Sequence, residues 1–345
     1  MIGLYLLVVV RTAWLSDDAY ITFRTVDNLV HGYGLTWNVA ERVQAYTHPL
    51  WMFLLSGLYW VSREIYFTSI FLCVAVSAAT VLFVAARLAV GVFPALVAVA
   101  VFTLSKAFVD YSTSGLENPL THLLLVLFVF VYLTRPADRK TLFRLALLGA
   151  LLALNRMDAI LLVLPALCVV FYRARSLSSL GTVVLGFAPF LAWEAFALFY
   201  YGLPVPNTAF AKLNTGLPAL ELVRQGLLYL YASLRLDPLT PIVIVAGLLV
   251  PLITRQRRHV PLALGSLLYL LYVVGIGGDF MLGRFLTAPL LVAVVLLARV
   301  AISGRTGLVV FVPLVLIAVL PTCLRFIGEI GGGSKWRSLI DANGI

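Results

Sequence analysis

The sequence predicts an all-α polytopic membrane protein, and three observations carry that prediction. Hydrophobic residues make up 62% of the 345 and charged residues only 12%, with a mean hydropathy of +1.03; a soluble fold cannot bury that much apolar surface. The apolar residues fall in runs, many of them near the roughly 20 residues that cross a bilayer. Lys and Arg gather in short loops between those runs, the positive-inside pattern of an inner-membrane protein. The net charge of +10 is therefore a loop asymmetry, and its distribution argues against nucleic acid as a partner. Cys73, Cys168 and Cys323 lie within apolar runs without metal-ligand spacing and read as packing residues.

The first run, 1–15, has no basic leader and no small-residue cleavage site, so it reads as an uncleaved first span. The second, 48–61, reaches only about 21 Å as a helix against a hydrocarbon core of about 30 Å. Further runs follow at 66–86, 91–109, 119–133, 145–155, 158–172, 180–200, 239–253, 260–274, 285–302 and 307–324. The basic groups Arg135-Arg139-Lys140-Arg144, Arg173-Arg175, Arg255-Arg257-Arg258 and Arg299-Arg305 mark cytoplasmic turns, and Arg87 fits a further one. Parity with these turns requires 48–61 not to cross, so it is expected as an interfacial or re-entrant helix in the first outer region. About 11 transmembrane helices remain, N-terminus in and C-terminus out. They form one transmembrane domain, 1–324, with a first outer loop at 16–47 and a short outer tail, 325–345, holding no complete soluble domain.

In this topology the acids segregate. Asp138 is cytoplasmic, Glu194 lies within a span, and the others fall on the outer face. Asp17 and Asp18 follow the first run directly; adjacent carboxylates repel and cost desolvation energy, so a functional pair competes with the plainer reading of a solvated helix end. Residues 18–31 have helical periodicity, ended by Gly32 and Gly34. The loop beyond is aromatic and carries Tyr46 and His48; such rings with polar neighbours suit a sugar, or simply an interfacial aromatic belt. Glu117, ahead of Pro119, stands at a helix N-terminus, where it could also be a plain cap. Asn155-Arg156-Met157-Asp158 places a cation beside an acid, either to end two helices or to grip a phosphate. Gly275-Ile276-Gly277-Gly278-Asp279 through Arg284 makes a compact glycine-rich turn open to an anion. Tyr200 through Lys212 adds a Pro-rich aromatic stretch with a further cation.

The order of the acidic first loop, Gly115-Leu116-Glu117-Asn118-Pro119, Asn155-Arg156-Met157-Asp158, Tyr200-Tyr201-Gly202 through Pro206-Asn207-Thr208, and Gly277-Gly278-Asp279 with Arg284-Phe285 resembles polytopic GT-C glycosyltransferases. Asp17-Asp18 through Thr25-Val26, followed by Glu41-Arg42-Val43-Gln44-Ala45, is similar to the mycobacterial terminal β-(1→2)-arabinofuranosyltransferase group in particular. The resemblance implies a GT-C-like fold in a bacterial plasma membrane with its active site facing outward. It implies a polyprenyl-phosphate donor of a sugar, arabinofuranose in that group, and a cell-envelope glycan or glycoconjugate as acceptor, with Asp17 or Asp18 as base.

Glycosyl transfer of this kind needs a carboxylate near the acceptor hydroxyl and cations near the leaving phosphate. Arg156, Lys212 and Arg284 are the candidate phosphate clamps. Glu117, Asp158, Asp279, His48 and Tyr46 are candidate contacts to sugar or donor. Asp18, Glu117 and Asp279 supply the oxygen ligands a divalent Mg, Mn or Ca ion would use, although no spacing demands one. The competing class is a transporter or flippase of lipid-linked sugars; no internal repeat is visible and Glu194 is the one carboxylate well inside a span, which favours transfer.

Overall fold

The computed structural model describes residues 1–174, 177–203, 206 and 216–301, and among them every regular element is helical. The chain opens with α1 (Ile2–Arg11) and α2 (Asp17–Val30). Ser16 caps α2 by accepting from the Asp18 amide, and the two acids of its first turn face the positive end of the helix dipole. A strap over 31–48 leads to α3 (Pro49–Ser62), α4 (Ile65–Phe83), which runs on through a π turn at Val84–Leu88, and α5 (Val92–Leu104). Then come α6 (Lys106–Asp110), α7 (Asn118–Thr134), α8 (Arg139–Asn155), a 3-10 turn at Met157–Ala159 and α9 (Ile160–Ala174). After these lie α10 (Leu177–Gly186), α11 (Ala188–Tyr201), α12 (Ala219–Leu236), α13 (Leu239–Thr254) and α14 (Val260–Gly275). A 3-10 turn at Arg284–Leu286 opens into α15 (Thr287–Ala298).

Among the described residues two helices are long and apolar enough each to cross a bilayer, Ile65–Leu88 and Met157–Ala174. Two bent pairs could add one span apiece: Ser178–Gly186 with Ala188–Tyr201, bent by 59°, and Ala219–Leu236 with Leu239–Thr254, bent by 109°. The remaining apolar helices are shorter, among them α3 with 14 residues. The expected last span, 307–324, and the tail 325–345 lie outside the described residues.

Two differences from the sequence reading have local causes. The run 91–109 breaks at Ser105, whose extended backbone ends α5 and whose hydroxyl accepts from the Phe108 amide to start α6. The stretch between the apolar runs 180–200 and 239–253, in which the sequence reading placed no helix, contains α12, an amphipathic helix with Gly226 and Tyr229 buried and Leu220, Leu227 and Tyr231 exposed.

The centre of the bundle is α15, buried along nearly its whole length, with α13, α7, α5 and α14 packed around it. Small residues let backbones approach as in membrane helix packing. A Cβ at Gly265 would lie 2.0 Å from the Leu162 carbonyl oxygen, and one at Gly247 2.4 Å from the Ala293 Cβ. This packing leaves the ends of α2, α7, α8 and α15 at a common end of the molecule.

Candidate functional site

Stretches far apart in sequence meet there at one buried carboxylate. Glu117, 2% exposed, precedes α7. Arg284 Nη2 donates to its two oxygens at 3.1 and 3.3 Å, and Arg156 Nη1 donates to Oε1 at 3.4 Å. His48 Nδ1 lies 3.5 Å from Oε2. The backbone is stitched at the same place: Asn155 Nδ2 donates to the Glu117 carbonyl at 3.0 Å and to Thr121 Oγ1 at 2.9 Å. Asn118 Nδ2 likewise donates to Thr287 Oγ1 at 3.2 Å. Trp51 Nε1 donates to the Gly115 carbonyl at 2.9 Å, and Ser16 N to the Ser114 carbonyl at 2.9 Å, docking α3 and α2 onto the segment that carries Glu117. Gly115 is required in that contact: its φ is +75°, and a Cβ would meet Leu15 at 2.8 Å and Ala19 at 2.9 Å.

Burial by itself would raise the Glu117 carboxyl, but Arg284, His48 and Arg156 outweigh it and hold the group at about 2. Burial would lower the Arg284 guanidinium, and Glu117 reverses that so that it rises; Arg156 behaves alike, with Asp158 as its main support. His48 moves down through burial, with Arg284 and Arg156 adding to the effect and Glu117 opposing it, so it is neutral near pH 7.

The two arginines differ in what they leave open. Arg156 is committed: Nε and Nη2 donate to Asp158 at 2.8 and 3.2 Å, Nη1 to Glu117, and its face lies 4.4 Å over the Phe285 ring. Tyr269 Oη donates to the same Asp158 at 3.4 Å. Arg284 keeps Nη2 on Glu117, while Nη1 donates to Met281 Sδ at 3.6 Å and stands 3.6 Å from both Asp18 and Asp279, and its buried Nε has no hydrogen-bond partner among the described residues. Loosely held N–H groups beside acids are what an incoming anion can take over.

The structure separates the acidic pair. Asp17 is exposed at the start of α2, where Oδ1 accepts from the Ser16 hydroxyl at 3.2 Å and the Asp18 amide at 2.9 Å. Asp18 is half-buried and turns toward Arg284. Asp158, Asp279, Arg156, Arg284 and His48 join the Glu117 cluster. Tyr46 does not: its hydroxyl is hydrogen-bonded to Tyr201 Oη at 3.0 Å, and Tyr201 donates to the Leu35 carbonyl at 2.8 Å, pinning the strap to α11. Burial, then the Tyr201 neighbour, pushes the Tyr46 phenol well up. Lys212 lies outside the described residues. Sequence reasoning missed Thr22, Tyr229 and Tyr269, uncharged residues inside helical stretches. Tyr229 accepts from the Phe285 amide at 3.2 Å and packs on Gly278.

A groove of about 340 Å³ is lined by Pro49, Phe53, Leu154, Trp193 and Phe196 among others. Pro49 follows His48 and Leu154 precedes Asn155, so two of its lining residues are next in the chain to residues of the cluster, although the charged side chains themselves do not line it. A larger depression, about 460 Å³, lies around Cys168, Tyr172 and Arg173 toward the far end of α9 and touches none of them. Among the described residues no group of three or more His, Cys, Asp or Glu side chains is placed to hold a metal ion. The three oxygen-ligand candidates, Asp18, Glu117 and Asp279, instead face Arg284, which supplies positive charge at their centre.

The chain is 30% identical over 325 residues to the terminal β-(1→2)-arabinofuranosyltransferase of Mycobacterium tuberculosis, a match covering 80% of this chain and 51% of that protein. It is 31% identical over 328 residues to the protein of the same name from Corynebacterium glutamicum, covering 80% of this chain and 46% of that protein. The resemblance read from the motifs thus extends over most of the chain, which spans about half the length of the curated relatives it matches. No family model matches the chain, and no solved structure matches it.

Proposed function

We propose, from this kinship and the buried cluster, that the chain is a membrane glycosyltransferase moving a sugar, arabinofuranose by analogy with the relatives, from a polyprenyl-phosphate donor to a cell-envelope glycan. In this reading it is a multi-pass protein of the bacterial plasma membrane with a GT-C-like fold of about eleven spans, working on the outer face. The observation that carries the reading is the meeting of Asp18, Glu117, Asp279 and two arginines at one end of an otherwise apolar bundle. The apolar groove supports a donor with an isoprenoid chain, which would lie against Pro49 and Trp193 while its phosphate reaches the cluster.

In the proposed reaction the acceptor hydroxyl oxygen bonds to the anomeric carbon as the bond from that carbon to the phosphate oxygen breaks. The phosphate leaves with the bonding electron pair and is held by Arg284, through Nε and Nη1; Lys212 is a second proposed cation. Asp18 takes the hydroxyl proton. Glu117 does not serve as base, because a carboxyl held at about 2 is a poor proton acceptor near neutral pH. Its part is to keep two arginines buried and aligned. No divalent ion is required in this scheme, since Arg284 supplies the charge.

The test is transfer from a synthetic polyprenyl-phosphoryl pentose in nanodiscs. Asp18→Asn removes the base with little change of shape and should cost about 100-fold or more in kcat, the usual contribution of general base catalysis. Asp17→Asn should cost only a few-fold. Full activity in both variants would overturn the assignment of Asp18 as base, whereas no transfer by the wild-type chain would overturn the enzyme reading and favour movement of lipid-linked sugars across the bilayer.

A further inference from the structure

His48 carries an arrangement that the sugar-contact reading does not explain. It stands before the first residue of α3, yet its side chain makes no cap to that helix, and it is 6% exposed. Its Nε2 is 2.7 Å from Thr22 Oγ1, and its Nδ1 is 3.5 Å from Glu117 Oε2 and 3.4 Å from Thr47 Oγ1. Thr22 is buried on α2, one turn after Asp18 and so on the same side of the helix. The imidazole therefore spans the gap between the helix that bears Asp18 and the carboxylate that anchors Arg284.

Which nitrogen holds the proton follows from the neighbours. Glu117 is ionised, so a proton on Nδ1 meets a negative oxygen, whereas a lone pair there would be repelled by it. With Nδ1 protonated, Nε2 is an acceptor, and the Thr22 hydroxyl donates to it. Protonating both nitrogens would add a charge beside Arg156 and Arg284, which burial and those two cations oppose. The result is a directed chain: Thr22 Oγ1–H to His48 Nε2, and His48 Nδ1–H toward Glu117.

We propose that His48 is a positioning residue, a neutral Nδ1–H strut that sets the distance between Asp18 and Arg284 by tying Thr22 of α2 to Glu117. It acts through Asp18 and does not touch the sugar. The inference rests on the transferase reading for its effect on rate, and on the contacts to Thr22 and to the ionised Glu117 for the tautomer. A misplacement of about 1 Å can cost about 100-fold in rate, and the strut is one of several ties holding α2, so a loss of about 10-fold in kcat is expected when it is cut.

The experiment has two arms. In the first, the purified full chain is labelled with ¹⁵N-histidine, and His48 is assigned among the four histidines by its absence in His48→Gln. Near pH 7.5 the neutral imidazole should be the Nδ1–H tautomer, and the Nε2 resonance should shift in Thr22→Val. An Nε2–H tautomer overturns the strut whatever the activity. In the second arm, Thr22→Val and His48→Gln should each lower kcat about 10-fold with donor KM within about 2-fold, and the double variant should be no worse than either, since both cut one chain. A raised KM in His48→Gln with an unaffected Thr22→Val would make His48 a donor contact instead. Wild-type chain with the expected tautomer but no transfer would remove both the transferase reading and the positioning role, leaving a tie of the fold.

Discussion

Arginine has opposite surroundings at the two ends of this bundle. At one end Arg156 and Arg284 are nearly buried and surrounded by Glu117, Asp158, Asp18 and Asp279. In the basic loops Arg135, Arg144, Arg173 and Arg257 are exposed, and the contacts made there are to hydroxyls and helix-end carbonyls: Arg139 to Thr182, Arg258 to the Leu133 carbonyl, Arg299 to the Leu88 carbonyl. Loop arginines orient a chain in a membrane through their number, largely regardless of partner. Buried ones are tolerated only where acids compensate them, so their partners are fixed and their geometry is specific.

The largest expected effect breaks the buried side of that contrast. Glu117→Gln leaves two guanidinium groups without their shared anion, and breaking a buried pair in this way costs about 3–5 kcal/mol. The variant should melt far below the wild type or fail to leave the membrane as a monodisperse species, as read by thermal denaturation and size exclusion in detergent. A melting temperature equal to wild type would show that Glu117 does not hold the cluster. The same carboxylate gives a pH dependence. Its folded value, about 2, lies below its ordinary 4.5, so its stabilisation is complete above about pH 5 and is lost as pH falls through 4.5 toward 2. A wild-type stability profile flat across that window would contradict the ion pairs.

The two buried arginines should separate next. Arg284→Gln removes the guanidinium whose Nε and Nη1 are the more loosely held, and a charge-assisted contact to phosphate contributes roughly 1.5–3 kcal/mol, so donor KM should rise about 10- to 100-fold. Arg284→Lys should recover only part of this, because an ammonium lacks the planar fork. Arg156→Gln should instead act on stability, since Asp158 and Glu117 use its nitrogens. If Arg156→Gln raised donor KM as much as Arg284→Gln at unchanged stability, the division between clamp and support would be wrong.

The cluster was half legible in the sequence, and the reason is energetic. Charges are costly in an apolar chain, so Asp18, Glu117, Arg156, Asp279 and Arg284 stood out one by one. Their pairing did not, because it depends on how α2, α7, α8 and α15 end against one another. Thr22 and Tyr269 carried no signal, being ordinary residues on helix faces. The helix Ala219–Leu236 was legible and missed: Leu220, Val223, Leu227, Tyr231 and Leu234 repeat at helical spacing, but Glu221, Arg224 and Arg235 made the stretch look like loop. The bend at Phe187 was hidden because 180–200 reads as one run, with Pro189 the only hint of a fresh helix start.

Whether α3 crosses the membrane decides which end of the bundle is which. Val39 and Ser62 are exposed and flank α3 on its two sides. With Cys73, Cys168 and Cys323 replaced by alanine, Val39→Cys and Ser62→Cys should both react with an impermeant thiol reagent added to spheroplasts. Labelling of Val39→Cys with protection of Ser62→Cys would make α3 a full span and invert the assignment of every later loop.

The smallest effect tests the loop arginines. Arg258 Nη1 donates to the Leu133 carbonyl at 3.3 Å, one of the last carbonyls of α7, and a cation near a helix C-terminus contributes about 0.3–1 kcal/mol. Arg258→Gln should lower stability by no more than that, with transfer within 2-fold of wild type, because α7 is held at its other end by Glu117, Asn118 and Thr121. Salt should erase much of the difference, since an exposed charge is screened within about 10 Å at 0.1 M. The Glu117 variants should keep their deficit at high salt, where buried pairs are little screened. An Arg258→Gln loss as large and as salt-resistant as that of Glu117→Gln would mean that the two ends are not different in kind, and that a charged loop residue also anchors α7.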